Sequence, residues 1–381
     1  MRLLILLSIF LQIANTQRSR MMRRSTEILR DLDFSEIVYS VHIDNVGSLI
    51  ARAEESNNRI KELREPSEFK SIVGTFPRYD EVVAWMNETS QLYPDLASTF
   101  SIGYTVLGRP MQILKLGLNG GNKWRVWMDA GVHAREWLAP TTAIYIADQL
   151  IQGYVNSDPE VLNYLSFLDF EILAVANPDG YEFCFTDDRL WRKNRRPITT
   201  DCTGVDLNRN FGFEWGGVGA SANPCDNTYM GPYAESEREV LNIINHVLPE
   251  SQKYIWYMAY HTWGELFFTR WDYTSDVPPD HVERLDLAQR TVNAINQVNG
   301  EIYLAGTAPE LMYAFSGSSS DWSRGTANIN YPYLVELRDS DGSYGFVAPP
   351  EEIIPCGAEN WAGAKIILND IIANYGGTTP P

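Results

Sequence analysis

The stretch Gly131-Val132-His133-Ala134-Arg135-Glu136-Trp137 sets an imidazole and a carboxylate three residues apart, directly after an apolar run at 124–132. Two donors so close can grip one metal ion from a single rigid turn. His261 follows a second apolar run at 254–260 and offers a third donor. Two histidines and a glutamate leave the fourth tetrahedral position to water, as a catalytic zinc requires. Alone, the HxxE spacing is a weak signal, because an isolated histidine is more often a hydrogen-bonded structural residue. His42 lies in a charged N-terminal stretch, and His246 and His281 lie in or beside helical patterns. Surface or half-buried positions are expected for these three.

The elements that must hold such residues follow from the hydrophobic period. From about residue 67, apolar, β-branched and aromatic runs alternate with helical patterns, the mark of an α/β domain. Strands are expected at 111–116, 124–132, 170–176, 254–260 and 333–337, and helices at 79–93, 140–154, 237–248, 282–299 and 360–375. His133, His261 and Glu336 each fall at a strand end. Open α/β sheets bind ligands beyond the carboxyl ends of their strands, so residues far apart in sequence can converge there. There is no internal repeat, and no low-complexity tract beyond the tail at 376–381.

With 381 residues, 44% of them hydrophobic, the chain can bury a large core. A net charge of −18 disfavours phosphate backbones and anionic lipid, so neither nucleic acid nor a membrane is expected as a partner. Arg2, the apolar run at 3–13 and Ala14-Asn15-Thr16 read as a signal peptide over residues 1–16. That run is short of the roughly 20 apolar residues a spanning helix needs. A secreted, extracellular protein is therefore expected. In that setting Cys184, Cys202, Cys225 and Cys356 read as disulfide formers, with all pairings open and no CxxC motif to suggest a metal knuckle. Asn87-Glu88-Thr89 is a glycosylation sequon. Residues 17–66 are charged, with an apolar patch at 37–43 and a helical pattern from Val46. Arg52, Arg59, Lys61 and Arg64 dot the end of that helix and would suit a trypsin-like protease; an ordinary solvated helix is the plainer reading.

In combination the motifs are far more specific. GVHAREW, NPDGYEF, DDRLWRKNRR, CTGVDLNRNF, AYHT, MYAFSGSSSDW and VELRDSDGSYGF occur in that order between about residues 76 and 375. With them the chain resembles the zinc metallocarboxypeptidases of the digestive A/B type, a standard example of a His₂Glu zinc site. The resemblance implies an α/β fold, with residues 67–381 forming a single large domain whose mixed central β-sheet is flanked by helices. Before it, residues 17–66 would form a short, partial α+β pro-segment, because only the second half of the family's activation domain is matched. It implies one zinc per chain on His133, Glu136 and His261, with Asp206 orienting the first histidine, Glu336 as general base and Arg192 stabilising the oxyanion. Asn208, Arg209 and Tyr313 correspond to residues that bind the substrate's terminal carboxylate, and Arg135 and Phe346 to residues lining neighbouring subsites. Cys202 and Cys225 match the family's commonest bridge, which leaves Cys184 and Cys356 to pair or stay free. Peptide or protein C-termini would be the substrates, a trypsin-like protease the activator, and a monomer the working state.

Three positions, Trp263, Ser320 and Asp272, depart from the family's common pattern. Trp263 stands where the family commonly has tyrosine. At the pocket floor, where A-type enzymes carry an aliphatic residue and B-type enzymes an aspartate, this chain has Ser320. Asp272 resembles the acidic wall that some basic-specific relatives use instead, among Ala259, Phe268, Ala308, Phe315 and Leu334. A carboxylate in an apolar pocket favours substrates ending in lysine or arginine. Arg270, two residues away, is a rival partner that would favour apolar or aromatic ends instead. A binding protein that kept the fold and lost catalysis is the third reading, and retention of Glu336 and all three donors argues against it.

Overall fold

A computed structural model of the chain describes Ile43 and residues 45–62, 72–339 and 341–381. The signal peptide, Arg64 and the patch at 37–43 apart from Ile43 lie outside the described residues. All described elements belong to the unit Asn45–Pro381. In chain order they are α1 (Val46–Glu62), α2 (Tyr79–Leu92), β1 (Ala97–Tyr104), β2 (Pro110–Leu116), β3 (Trp124–Ala130), α3 (Leu138–Val155), α4 (Pro159–Phe167), β4 (Leu168–Leu173) and α5 (Pro178–Thr186). Then follow α6 (Arg238–Val247), β5 (Tyr254–Thr262), β6 (Leu266–Thr269), α7 (His281–Asn299), β7 (Leu304–Thr307), α8 (Ala308–Leu311), α9 (Ser319–Gly325), β8 (Tyr331–Leu337) and α10 (Ile353–Tyr375).

The strands form one mixed sheet in the order β1-β2-β4-β3-β5-β8-β6-β7. Its centre, β4-β3-β5-β8, is parallel, while β1, β2 and β6 run antiparallel to their inner neighbours. All nine residues of β5 are buried, as expected for a central parallel strand covered on both faces. Side chains alternate between those faces, and each face has its own core. Met258, Tyr260, Tyr333 and Val335 join the cluster beneath α3, α7 and α10. Tyr257, Ala259 and Leu334 join the opposite cluster with Trp322 of α9 and Val240 of α6.

The five expected strands and five expected helices all form, with shifted ends. Helix α10 starts at Ile353 rather than 360, because Pro355 falls in its first turn, where a missing N–H costs no hydrogen bond. The last apolar residues after β4 leave the ladder, and Ala176 N and Asn177 N donate instead to the carbonyls of Ala130 and Gly131 at 2.8 and 3.1 Å. Helix α1 is docked rather than simply solvated. The Asn57 side chain donates to Phe76 O at 3.1 Å and accepts from Phe76 N at 2.8 Å, and Lys61 Nζ meets Glu81 at 2.6 Å. The sequon lies within α2, with Asn87 exposed but Thr89 buried and bonded to Trp85 O.

Candidate metal centre and substrate cleft

Strand β3 ends at Ala130, and Gly131 takes a positive φ of 63° that turns the chain away from the sheet. A Cβ there would meet Pro140 Cγ at 3.1 Å, in a conformation that side chains rarely adopt. His133 and Glu136 lie on the short turn that follows, before α3 begins at Leu138. His261 enters from β5.

These three side chains are buried, and one donor atom from each lies within 4.8 Å of the others. His133 Nδ1 is 2.7 Å from Glu136 Oε1, while His261 Nδ1 is 3.0 Å from Glu136 Oε2 and 3.1 Å from His133 Nδ1. His133 Nε2 faces Asp206 Oδ1 at 3.1 Å, which places the imidazole proton on Nε2 and leaves a lone pair on Nδ1. Lone pairs crowded this closely need a proton or a metal cation between them. Two neutral imidazoles and one carboxylate are the donor set that suits zinc, so the residues fit the metal. Among the described residues no other such cluster of histidine, cysteine or acidic side chains occurs.

Asp206 has both oxygens occupied. Oδ1 also accepts from Asn208 N at 3.0 Å, and Oδ2 accepts from Arg192 Nε and Nη2 at 3.0 and 2.8 Å. Burial opposes its ionisation, but the charge of Arg192 and the hydrogen bond from His133 hold the carboxyl well below its usual range. Arg192 Nη1 also approaches Glu136 Oε1 at 3.8 Å. Glu336 is half-buried, and its backbone pairs in the ladder while its carboxylate has no hydrogen-bond partner among the described residues. Burial, then the negative charge of Glu136, pushes its pKa above the usual carboxylate range.

Asn208 and Arg209 sit on a single 3₁₀ turn, Leu207–Arg209, that Asp206 caps. Asn208 Oδ1 accepts from Ser319 N at 2.9 Å, and its amide NH₂ has no hydrogen-bond partner among the described residues. Arg209 donates Nε to Gly219 O at 3.0 Å and Nη1 to Asn208 O at 2.9 Å, leaving Nη2. Its guanidinium lies 4.6 Å from the Phe315 ring, and half-exposed Tyr313 meets the same ring edge-on at 6.1 Å. The Cys202–Cys225 disulfide forms, with a Cα–Cα distance of 4.9 Å, and encloses this segment. Cys184 and Cys356 are free and buried. Arg135 stacks on Phe346 at 3.9 Å, and Phe346 in turn meets Trp263 at 6.4 Å.

Asp272 and Ser320 also come together. Asp272 Oδ2 accepts from Ser320 Oγ at 2.6 Å, Ser318 Oγ at 2.8 Å and Arg270 Nη1 at 2.6 Å. Its Oδ1 is buried with no hydrogen-bond partner among the described residues. Ala259, Phe268, Ala308, Phe315 and Leu334 lie in one apolar cluster. Sequence reasoning missed Asp321, whose carboxylate accepts from Asp272 N at 2.9 Å and Tyr273 N at 3.2 Å. Burial, then the Asp272 charge, raises its pKa well above the ordinary value. The signal for it was Ser318-x-x-Asp321, a helix-start pattern in which Ser318 caps α9 at Asp321 N.

A family model described as zinc carboxypeptidase matches residues 82–363. The chain belongs to the zinc carboxypeptidase family. It is 39% identical to a carboxypeptidase B of Astacus astacus over 78% of this chain and 97% of that one. It is 33% identical to carboxypeptidase A1 of Bos taurus, over 90% of this chain and 81% of that one. The crystal structure of thrombin activatable fibrinolysis inhibitor superposes with a TM-score of 0.84 at 29% identity, covering 92% of this chain and 86% of that one. As a metallocarboxypeptidase the chain is a peptide hydrolase, and its family implies zinc. No described helix is long and apolar enough to cross a membrane.

Proposed function

We propose that this carboxypeptidase holds one zinc on His133, Glu136 and His261 and releases basic residues from peptide C-termini. The observation that carries the specificity is the buried, unpartnered Oδ1 of Asp272. An unpaired carboxylate oxygen away from water is costly, and a lysine or arginine side chain would pair it. The B name of the 39%-identical relative supports this reading.

Zinc bound at the triad would polarise the scissile carbonyl and acidify a water. Glu336, with no partner of its own, would take a proton from that water and return it to the leaving amine. The Asn208 amide, Arg209 Nη2 and the Tyr313 hydroxyl offer donors to the terminal carboxylate, where a planar guanidinium is well suited. Arg192 would keep Asp206 ionised while reaching toward the carbonyl oxygen. Arg135 and Phe346, stacked together, would wall the neighbouring subsite. A second reading, apolar or aromatic preference, is favoured by the Arg270–Asp272 contact at 2.6 Å, which supplies an internal counter-ion. Ser320 and the aromatic walls would then line the pocket.

The run at 3–13 supports secretion, and the basic residues around the end of α1 support activation by a trypsin-like protease of a monomeric zymogen. Zinc analysis of the mature protein together with amino-acid release from peptides ending in Arg and in Phe tests the proposal. Absence of metal, or release of internal fragments, would refute it.

A further inference from the structure

The basic run around Arg192 is not a solvated surface. Lys193 Nζ donates to Pro224 O at 2.8 Å, Arg196 Nη1 meets Glu237 at 2.7 Å, and the Arg195 guanidinium lies 3.6 Å from the Phe183 ring. Arg189 is only 7% exposed, and its guanidinium stacks on Trp137 at 3.6 Å. Its hydrogen bonds go to two main-chain carbonyls. Nη1 donates to Arg135 O at 2.8 Å and Nη2 to Phe346 O at 2.6 Å. A buried cation is costly to desolvate, so a guanidinium aimed at two carbonyls and an aromatic face calls for a reason.

The two carbonyls belong to the residues that stack on each other in the cleft, Arg135 on Phe346 at 3.9 Å. These residues come from distant parts of the chain. Arg135 sits on the metal turn, one residue before Glu136, and Phe346 in the loop between β8 and α10. The turn is already laced to the run: Ala134 N donates to Arg192 O at 3.0 Å, and Arg135 Nη1 reaches Leu190 O at 3.4 Å. On the loop side, Val347 N closes on Tyr344 O at 2.9 Å, which shapes the loop without joining it to the turn. Arg189 makes that join. Its planar fork holds two donors at a fixed spacing, which an ammonium does not offer.

We propose that Arg189 is a positioning residue that clamps the backbones of Arg135 and Phe346 together and so sets the wall for residues upstream of the scissile bond. Buried as it is, Arg189 has almost no surface to offer a peptide and acts through the two residues it holds. Without the fork the carbonyls separate, Phe346 leaves the Arg135 guanidinium, and a long peptide loses the binding that the wall supplies. This rests on the reading of Arg135 and Phe346 as a subsite wall.

Two substrates with the same C-terminal residue test it, one with a single blocked residue before the scissile bond and one with three. The quantity read is the ratio of kcat/KM, long over short. Arg189→Met should lower that ratio about tenfold, chiefly through the KM of the long substrate. A merely structural role would weaken both substrates together and leave the ratio intact. Arg189→Lys, which keeps the charge but not the fork, should lower the ratio nearly as far, and it carries the test if the methionine variant does not fold. In Phe346→Ala the ratio should already be low, and adding Arg189→Lys should change it by less than about twofold, because the two residues act as one unit. An unaltered ratio in Phe346→Ala would overturn the wall reading itself. A low ratio there, with an unaltered one in Arg189→Lys or with additive losses in the double variant, would overturn the clamp.

Discussion

His261 and Glu336 are register partners in the parallel ladder between β5 and β8. Two residues earlier on each strand, Ala259 pairs with Leu334. Alternation along the strands puts all four on one face, so a metal donor and a candidate base stand side by side beyond two members of the apolar cluster. Their spacing is set by the sheet rather than by a loop, which is how a rigid scaffold fixes a reacting pair.

Because Glu336 is beside the triad but outside it, Glu336→Gln should keep its full complement of zinc. Turnover should fall by roughly 10²–10⁴-fold, the usual contribution of a positioned base. Metal content and kcat measured on the same preparation check this. Near-normal kcat would remove Glu336 from the mechanism.

The two free cysteines are expected to be inert. Burial pushes both Cys184 and Cys356 up to about 12, and their sulfurs contact Trp191 O and Thr142 Oγ1. A thiol reagent at pH 8 should label no cysteine in the native protein and two after unfolding without reductant. Opening the Cys202–Cys225 link by double serine substitution should cost on the order of 3 kcal/mol in the loop-entropy model. A labelled native thiol would contradict the burial.

Strands buried on both faces were the most legible part of the fold, because β5 and β8 read as nearly continuous apolar and aromatic runs, β3 as one interrupted only by Arg125 and Asp129, and their ends marked His133, His261 and Glu336. Strands β6 and β7, four residues each, are too short to show a period, and the burial of β1 does not alternate. Helices α4 and α5 were hidden by Asp158-Pro159 and Asn177-Pro178, which punctuate like turns but here act as a cap followed by a first-turn proline. The docking of α1 through Asn57 has no sequence signature at all. Nor does composition reveal that Arg270, Asp272 and Asp321 are buried together, since pairing of charges depends on strands and helices far apart in the chain.

Acid should find a weak point away from the cleft. Glu171 accepts from Tyr254 and pairs with His246 Nε2 at 2.7 Å. Burial raises its pKa, but these bonds outweigh it and the carboxyl is held below its ordinary value. A depressed pKa contributes stability above the unfolded value, lost as pH falls through the folded one. Melting temperature should therefore drop as pH falls below about 4.5, and Glu171→Gln should flatten that slope while lowering stability at pH 7. An identical slope in the variant would exonerate Glu171.

Proteolysis of the N-terminal segment should respect the docked helix. Arg52, Arg59 and Lys61 lie within α1, so mild trypsin is expected to cut first beyond Glu62, at Arg64 or Lys70. Asn57→Ala removes the paired bonds to Phe76 and should open earlier sites. N-terminal sequencing of the products, with activity followed in parallel, decides it. A first cut at Arg52 in the unaltered chain would mean that the helix is not held in solution.

Specificity turns on which partner owns Asp272. Three donors already fill Oδ2, yet Oδ1 has no hydrogen-bond partner among the described residues, so a substrate cation has an oxygen to meet. The unaltered enzyme should show the higher kcat/KM for Arg over Phe at the substrate C-terminus. Asp272→Gly should erase about 2 kcal/mol or more of that preference, roughly 30-fold, as when one partner of a buried charge pair is removed. Arg270→Met should act oppositely and sharpen the preference for Arg, because Asp272 then has only the two serines and the substrate. A preference for Phe that neither variant changes would mean that the Arg270–Asp272 pair only braces the wall.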